Sequence, residues 1–124
     1  MLSATPVGFK TEHSFEDRES ESARIIAKYA DRIPVIVERD SKASSSLELL
    51  DKKKYLVPNE LTVGQFMFVI RKRLKLPANE AIYLYLPVGG KMPSSSMVMK
   101  DIYATCKDDD GFLYMTYAGE NVFG

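Results

Sequence analysis

The sequence predicts an α+β domain in which one long helix crosses a four-stranded mixed sheet, preceded by an N-terminal helical extension. Three features predict it: four short runs rich in β-branched and aromatic residues, one apolar stripe at helical spacing between the second and third runs, and a capped, charge-dense segment ahead of the first. Ser14 followed by Asp17 fits an N-cap with an acidic residue three positions on, opening a helix through Tyr29. Its apolar content (Phe15, Ala23, Ile25, Ile26, Tyr29) makes only a narrow stripe among charges, so this helix belongs on the surface of the domain. Ile33 to Glu38 (IPVIVE) reads as a strand, with Pro34 tolerable near its start or on an unpaired side. Arg39 to Ser46 is a polar loop, and Lys54 to Val57 (KYLV) is a second strand ended by Pro58.

Thr62 with Gln65 forms a second capping box, and Val63, Phe66, Met67, Ile70 and Leu74 recur at helical spacing, so this helix supplies most of the core. Pro77 ends it. Ala81 to Leu86 (AIYLYL) is a third strand, closed by turn residues Pro87 to Gly90. Ser96 is the expected cap of a short helix whose Met99, Ile102, Tyr103 and Cys106 share an apolar face. Asp110 and Gly111 turn the chain into a final strand, Phe112 to Ala118, and the last residues, GENVFG, have no periodicity and read as a mobile tail. Strand, strand, long helix, strand, short helix, strand is the order of a β-grasp, or ubiquitin-like, fold. The division that follows is 1–30 as helical extension, 31–118 as β-grasp domain and 119–124 as tail.

Composition narrows the function. At 124 residues and 45% hydrophobic, the chain has enough core for one self-sufficient domain. The single Cys106 excludes an internal disulfide, and without paired Cys/His spacing no structural zinc site is expected; no metal and no cofactor is implied. Apolar runs such as Phe66 to Ile70 are far too short to span a membrane, and the start MLSATPVGFKTEH carries no signal-peptide pattern. Seventeen basic residues against seventeen acidic ones argue against a nucleic-acid binder, and no aromatic platform accompanies the Lys52 to Lys54 or Arg71 to Lys75 clusters. The balance is uneven along the chain: residues 34 to 75 carry nine basic and five acidic side chains, so this stretch can attract acidic segments. A Cys/His nucleophile could be built only from Cys106 and His13. Both have plainer uses, as a small hydrophobe and as a solvated residue before a cap, so the chain does not read as an enzyme. Gly89 and Gly90 lack the pattern of a phosphate-cradling loop.

The segments FKTEHSFEDRESESARI, YADRIPVIVER, LDKKKYLVPNELTVGQFMFVIRKRL and DGFLYMTYAGENVFG resemble the autophagy-related protein eight family over almost all of residues 9 to 124. The resemblance implies a ubiquitin-like fold with two N-terminal helices, of which the residues show one. It also implies a modifier, cytoplasmic when free, whose C-terminal glycine, here Gly124, is joined to phosphatidylethanolamine. Activating and conjugating enzymes would carry it there, and lipidation would place it on autophagosomal and vacuolar or lysosomal membranes. Familiar precursors carry residues after that glycine, removed by a cysteine protease that also deconjugates. Nothing follows Gly124 here, which fits a processed form, a shortened chain or a gene that encodes the exposed glycine.

A second implied site takes adaptor and cargo-receptor peptides of the form aromatic, two residues, aliphatic, added as a strand beside Lys54 to Val57. By correspondence Glu21, Ile25, Pro34, Ile36, Lys54, Leu56 and Phe112 line the aromatic pocket, and Tyr55, Val57, Pro58, Leu61, Phe66 and Val69 the aliphatic one. Arg32, Lys52 and Arg73 would meet acidic residues flanking the motif, and Tyr83, Leu84 and Tyr85 form a possible helix-docking patch. For Ile36, Leu56 and Phe66 the plainer reading is ordinary core. Two departures stand out: a longer loop from Arg39 to Lys52, and LPVGGKMPSSS in place of the usual Asn-containing, double-proline turn. A non-covalent ubiquitin-like adaptor in vesicle trafficking, never activated at its tail, is the alternative.

Overall fold

The computed structural model describes residues 8–44, 46–87 and 90–119. Gly124 and the expected tail beyond Gly119 therefore lie outside the described residues. The elements run α1 (Phe9–Glu12), α2 (Phe15–Lys28), β1 (Arg32–Arg39), β2 (Lys54–Pro58), α3 (Val63–Leu74), β3 (Tyr83–Tyr85), α4 (Met99–Cys106) and β4 (Leu113–Ala118). The strands form one sheet in the order β2-β1-β4-β3, with β1 parallel to β4 and the other pairs antiparallel. This is the mixed sheet and helix arrangement the residues predict.

Period-two alternation in β1 explains how the layers assemble. Ile33, Val35 and Val37 join Tyr55, Val57, Val63, Phe66, Ile70, Leu74 and Met115 in the main core, so α3 covers this face. Ile36 lies on the opposite face with Phe9 and Phe112, in a smaller cluster that Ile25 of α2 packs against. β1 is buried on both faces because helices cover both. Pro34 fits a central strand because its register partner across β1 and β2 is Leu56, in a pair that exchanges no backbone hydrogen bonds.

The capping box at Thr62 and Gln65 is present, with Gln65 N bonded to Thr62 Oγ1 and Thr62 N to Gln65 Oε1. Ser14 likewise accepts from Asp17 N at the start of α2. The second N-terminal helix that the resemblance implies is α1, a single turn whose Phe9 is buried against Phe112, with ring centroids 5.3 Å apart. Three expectations change. Ser96 does not cap α4: Val98 stands at the N-cap, and Met99 N and Lys100 N donate instead to the carbonyls of Leu61 and Asn59. Cys106 is exposed at the end of α4 rather than on its apolar face, which Met99 and Ile102 supply. The third strand is also shorter than Ala81 to Leu86, pairing only at Tyr83 to Tyr85.

α2 buries one residue, and it is polar: Ser22, whose hydroxyl donates to the carbonyl of Asp110 at 2.5 Å. Asp110 is fully buried, and its carboxylate accepts from Arg18 Nη1 at 2.6 Å, Phe112 N at 2.8 Å and Tyr114 Oη at 2.5 Å. Burial, followed by this bond to Asp110, pushes the Tyr114 phenol well above its ordinary pKa. A carboxyl group buried in such a place needs this many partners. The clasp fastens α2 to the turn before β4, and Gly111 completes it with φ +91 against Ser22.

Candidate peptide-docking edge

β2 lies at the end of the sheet, so one side of its backbone has no strand partner among the described residues. Val37 N donates to Lys53 O at 2.8 Å, and Val35 pairs with Tyr55 and Ile33 with Val57. Alternation then directs the backbone groups of Lys54 and Leu56, and the carbonyl of Pro58, to the open side. Three consecutive lysines and Pro58 border this edge, the kind of residues that keep such edges from pairing indiscriminately.

The expected pockets fall on opposite faces of this strand. On the face of the N-terminal helices, Glu21, Ile25, Lys54 and Leu56 are half-buried and Pro34, Ile36 and Phe112 are buried. Ile36 and Phe112 lie beneath Phe9, so they can serve only as the floor of a cavity walled by the others. Lys54 Nζ is paired with Glu21 across the top. On the α3 face, Tyr55, Val57 and Phe66 belong to the main core, Leu61 is half-buried and Val69 reaches solvent, whereas Pro58, expected with them, is exposed and has the parity of Lys54 and Leu56 along β2. The plainer reading of Ile36 and Phe66 as core therefore describes them correctly, while Leu56 stays half-exposed at the edge.

The Tyr55 ring meets Phe66 edge-on at 5.7 Å, and Lys52 Nζ lies 5.2 Å above the Tyr55 ring. The Tyr55 hydroxyl is buried without a hydrogen-bond partner among the described residues, and burial pushes its pKa up to about 12. Arg73 is held by Asp51, with Nη2 3.1 and 3.2 Å from the two carboxylate oxygens. Arg32 is exposed, and its Nη1 donates to the carbonyl of Leu56 at 3.1 Å. The three cations expected to meet an acidic flank thus border the edge, each already engaged.

Of the possible helix-docking patch, Leu84 and Tyr85 are buried and only Tyr83 is half-exposed. A separate groove of about 590 Å³ lies between Ser44, Ser46, Leu47 and Glu48, the stretch from Leu74 at the end of α3 to Pro77, and Gly119. No segment pattern announced it, because its walls are distant in sequence. No group of acidic, His and Cys residues among the described residues could hold a metal, and no helix there is long and apolar enough to cross a membrane.

Residues 17–124 match a family model described as "Autophagy protein Atg8 ubiquitin like". The chain is 56% identical over 116 residues to "Autophagy-related protein 8" of Emericella nidulans, covering 94% of this chain and 95% of the relative. It is 55% identical over 116 residues to "Autophagy-related protein 8A" of Oryza sativa subsp. indica, covering 94% of each. The crystal structure of Trypanosoma brucei ATG8 superposes with a TM-score of 0.85 at 42% identity, covering 97% of this chain and all of that one.

Proposed function

The chain belongs to the Atg8 family of ubiquitin-like autophagy proteins, and from that premise we propose that it is a modifier conjugated through Gly124 to phosphatidylethanolamine, presenting β2 as a docking edge for short receptor peptides. The observation that carries the peptide half is the open backbone of Lys54 and Leu56, set between a half-open cluster around Ile25 and Leu56 on one face and Leu61 and Val69 on the other. An extended peptide sends alternate side chains to opposite faces, so an aromatic and an aliphatic residue three positions apart enter different clusters while main-chain bonds hold the strand. Affinity near micromolar, about −8 kcal/mol, suits a ligand this short.

Family membership supports the conjugation half, and the chemistry of a glycine carboxyl suits it. A glycine carboxyl carries no side chain to obstruct an enzyme channel and can be activated by adenylation, passed through thioesters and taken up by the lipid amine. Two acyl chains, at about 0.8 kcal/mol per buried methylene, then give firm membrane attachment without a spanning helix. The partners on this reading are the activating and conjugating enzymes, a deconjugating cysteine protease and peptide-bearing cargo receptors at the autophagosomal membrane. Incubation with the two enzymes, ATP and phosphatidylethanolamine liposomes tests it. A liposome-bound product lost in Gly124→Ala is expected; no product, or equal conjugation by Gly124→Ala, would leave the non-covalent adaptor as the better reading.

A further inference from the structure

We infer that Arg32 is an exchangeable cap on the docking edge, standing in for the incoming peptide's N–H and released as a cation when a strand docks. Leu56 presents its carbonyl to the open side of β2, since the pairs on either side of it, Val35 with Tyr55 and Ile33 with Val57, are the ones bonded to β1. A docking strand must place an N–H on that oxygen to complete its ladder. In the free protein the Arg32 guanidinium occupies it, 3.1 Å away. Arg32 is the first residue of β1, opposite Pro58 in register, so its side chain reaches around the end of β2 to the outer edge. Pro58 offers no N–H to compete for that space.

Two consequences follow from one contact. While the cap is on, an edge acceptor that invites unspecific strand pairing is satisfied. When a peptide N–H takes over the Leu56 carbonyl, the guanidinium is freed beside the peptide, where an acidic residue can accept its charge. A neutral-flanked peptide displaces the cap and gains nothing in return, whereas an acidic-flanked one recovers the lost bond as an ion pair. Arg32 thereby selects acidic flanks by penalising neutral ones as well as by attracting charge. Lys52 and Arg73, engaged with the Tyr55 ring and with Asp51, hold no backbone acceptor of the edge strand and cannot act this way.

The inference rests on the strand-docking reading, and calorimetry with two peptides separates them. Both peptides share an aromatic-x-x-aliphatic core; one is flanked on both sides by glutamates and the other by glutamines. In Arg32→Met, which keeps the apolar stem without donor or charge, the neutral peptide should bind about threefold tighter and the acidic one weaker, since an exposed charged hydrogen bond has a modest net worth. The Leu56 carbonyl ¹³C resonance should shift in free Arg32→Met and, in the wild type, on binding of the neutral peptide. If both peptides bind the wild type and the neutral one binds Arg32→Met equally or more weakly, the cap is refuted while docking stands. If neither binds the wild type, docking itself fails and the cap with it.

Discussion

Gly111→Ala probes the clasp that holds α2, and its cost can be worked from geometry. Gly111 has φ +91, where an L-residue is strained by about 1 to 2 kcal/mol. An added Cβ would stand 2.3 Å from Ser22 Oγ and 3.1 Å from Ser22 Cβ. The hydroxyl must swing away, leaving the buried Asp110 carbonyl without its donor at a further cost of about 1 to 3 kcal/mol. Rotation of the hydroxyl does not relieve the Cβ contact, so α2 must also shift outward by a few tenths of an ångström. Together these destabilise the fold by roughly 3 kcal/mol, or about 10 °C in Tm for a domain of this size. Urea titration of wild type, Gly111→Ala, Ser22→Ala and the double variant should show strong coupling, since Ser22→Ala already forfeits the bond that Gly111→Ala breaks. Because α2 carries Glu21 and Ile25, Gly111→Ala should also weaken peptide binding under conditions where it remains folded. A loss below about 1 kcal/mol in Gly111→Ala, or strictly additive effects, would refute the clasp.

Further expectations concern single groups. Tyr55→Phe removes a buried hydroxyl with no partner, so Tm should hold or rise; a drop of several degrees would reveal a bond the geometry does not contain. Asp51→Asn frees Arg73 and should tighten acidic-flanked peptides by about threefold at low salt, fading at high salt, with neutral-flanked peptides unmoved in the same calorimetry. Tyr55 holds its proton up to about pH 12 when folded, against an ordinary value near 10, so the folded state binds the proton more tightly. Its contribution is fully present below pH 10 and declines by roughly 1.4 kcal/mol per unit from there to about 12. Tyr103, Tyr114 and Tyr117 are shifted in the same direction, so urea midpoints should fall steeply above pH 10, less steeply in Tyr55→Phe.

What could be read from the residues was local. The stripe from Val63 to Leu74 with its capping box, and the Ser14 cap, are written in neighbouring positions, and they form as written. Phe9 escaped notice because a single turn has no periodicity to detect. Ser22 and Asp110 lie 88 positions apart, and nothing in a serine among glutamates indicates that it is the one residue α2 buries. Ser96 misled because α4 satisfies its first N–H groups through carbonyls at 59 and 61, a tertiary contact that no cap rule foresees. At the docking edge, alternation along β2 separates the two expected pocket sets onto two faces except at Pro58, but that Asp51 and the Leu56 carbonyl already hold Arg73 and Arg32 is visible only once the chain is folded.

The parallel pairing of β1 with β4 has a mechanical meaning. In the proposed conjugate the membrane pulls through the C-terminal end of β4 while bound cargo pulls on β2, and β1 lies between them. When the cargo's pull lies along β2, force runs along the strands, across the β4–β1 and β1–β2 ladders in turn, and is carried in shear by many hydrogen bonds at once. A hairpin peeled from its end would break them one by one. The sheet order thus makes the path from tether to cargo a stiff one, so that a moving membrane drags its load before the domain yields.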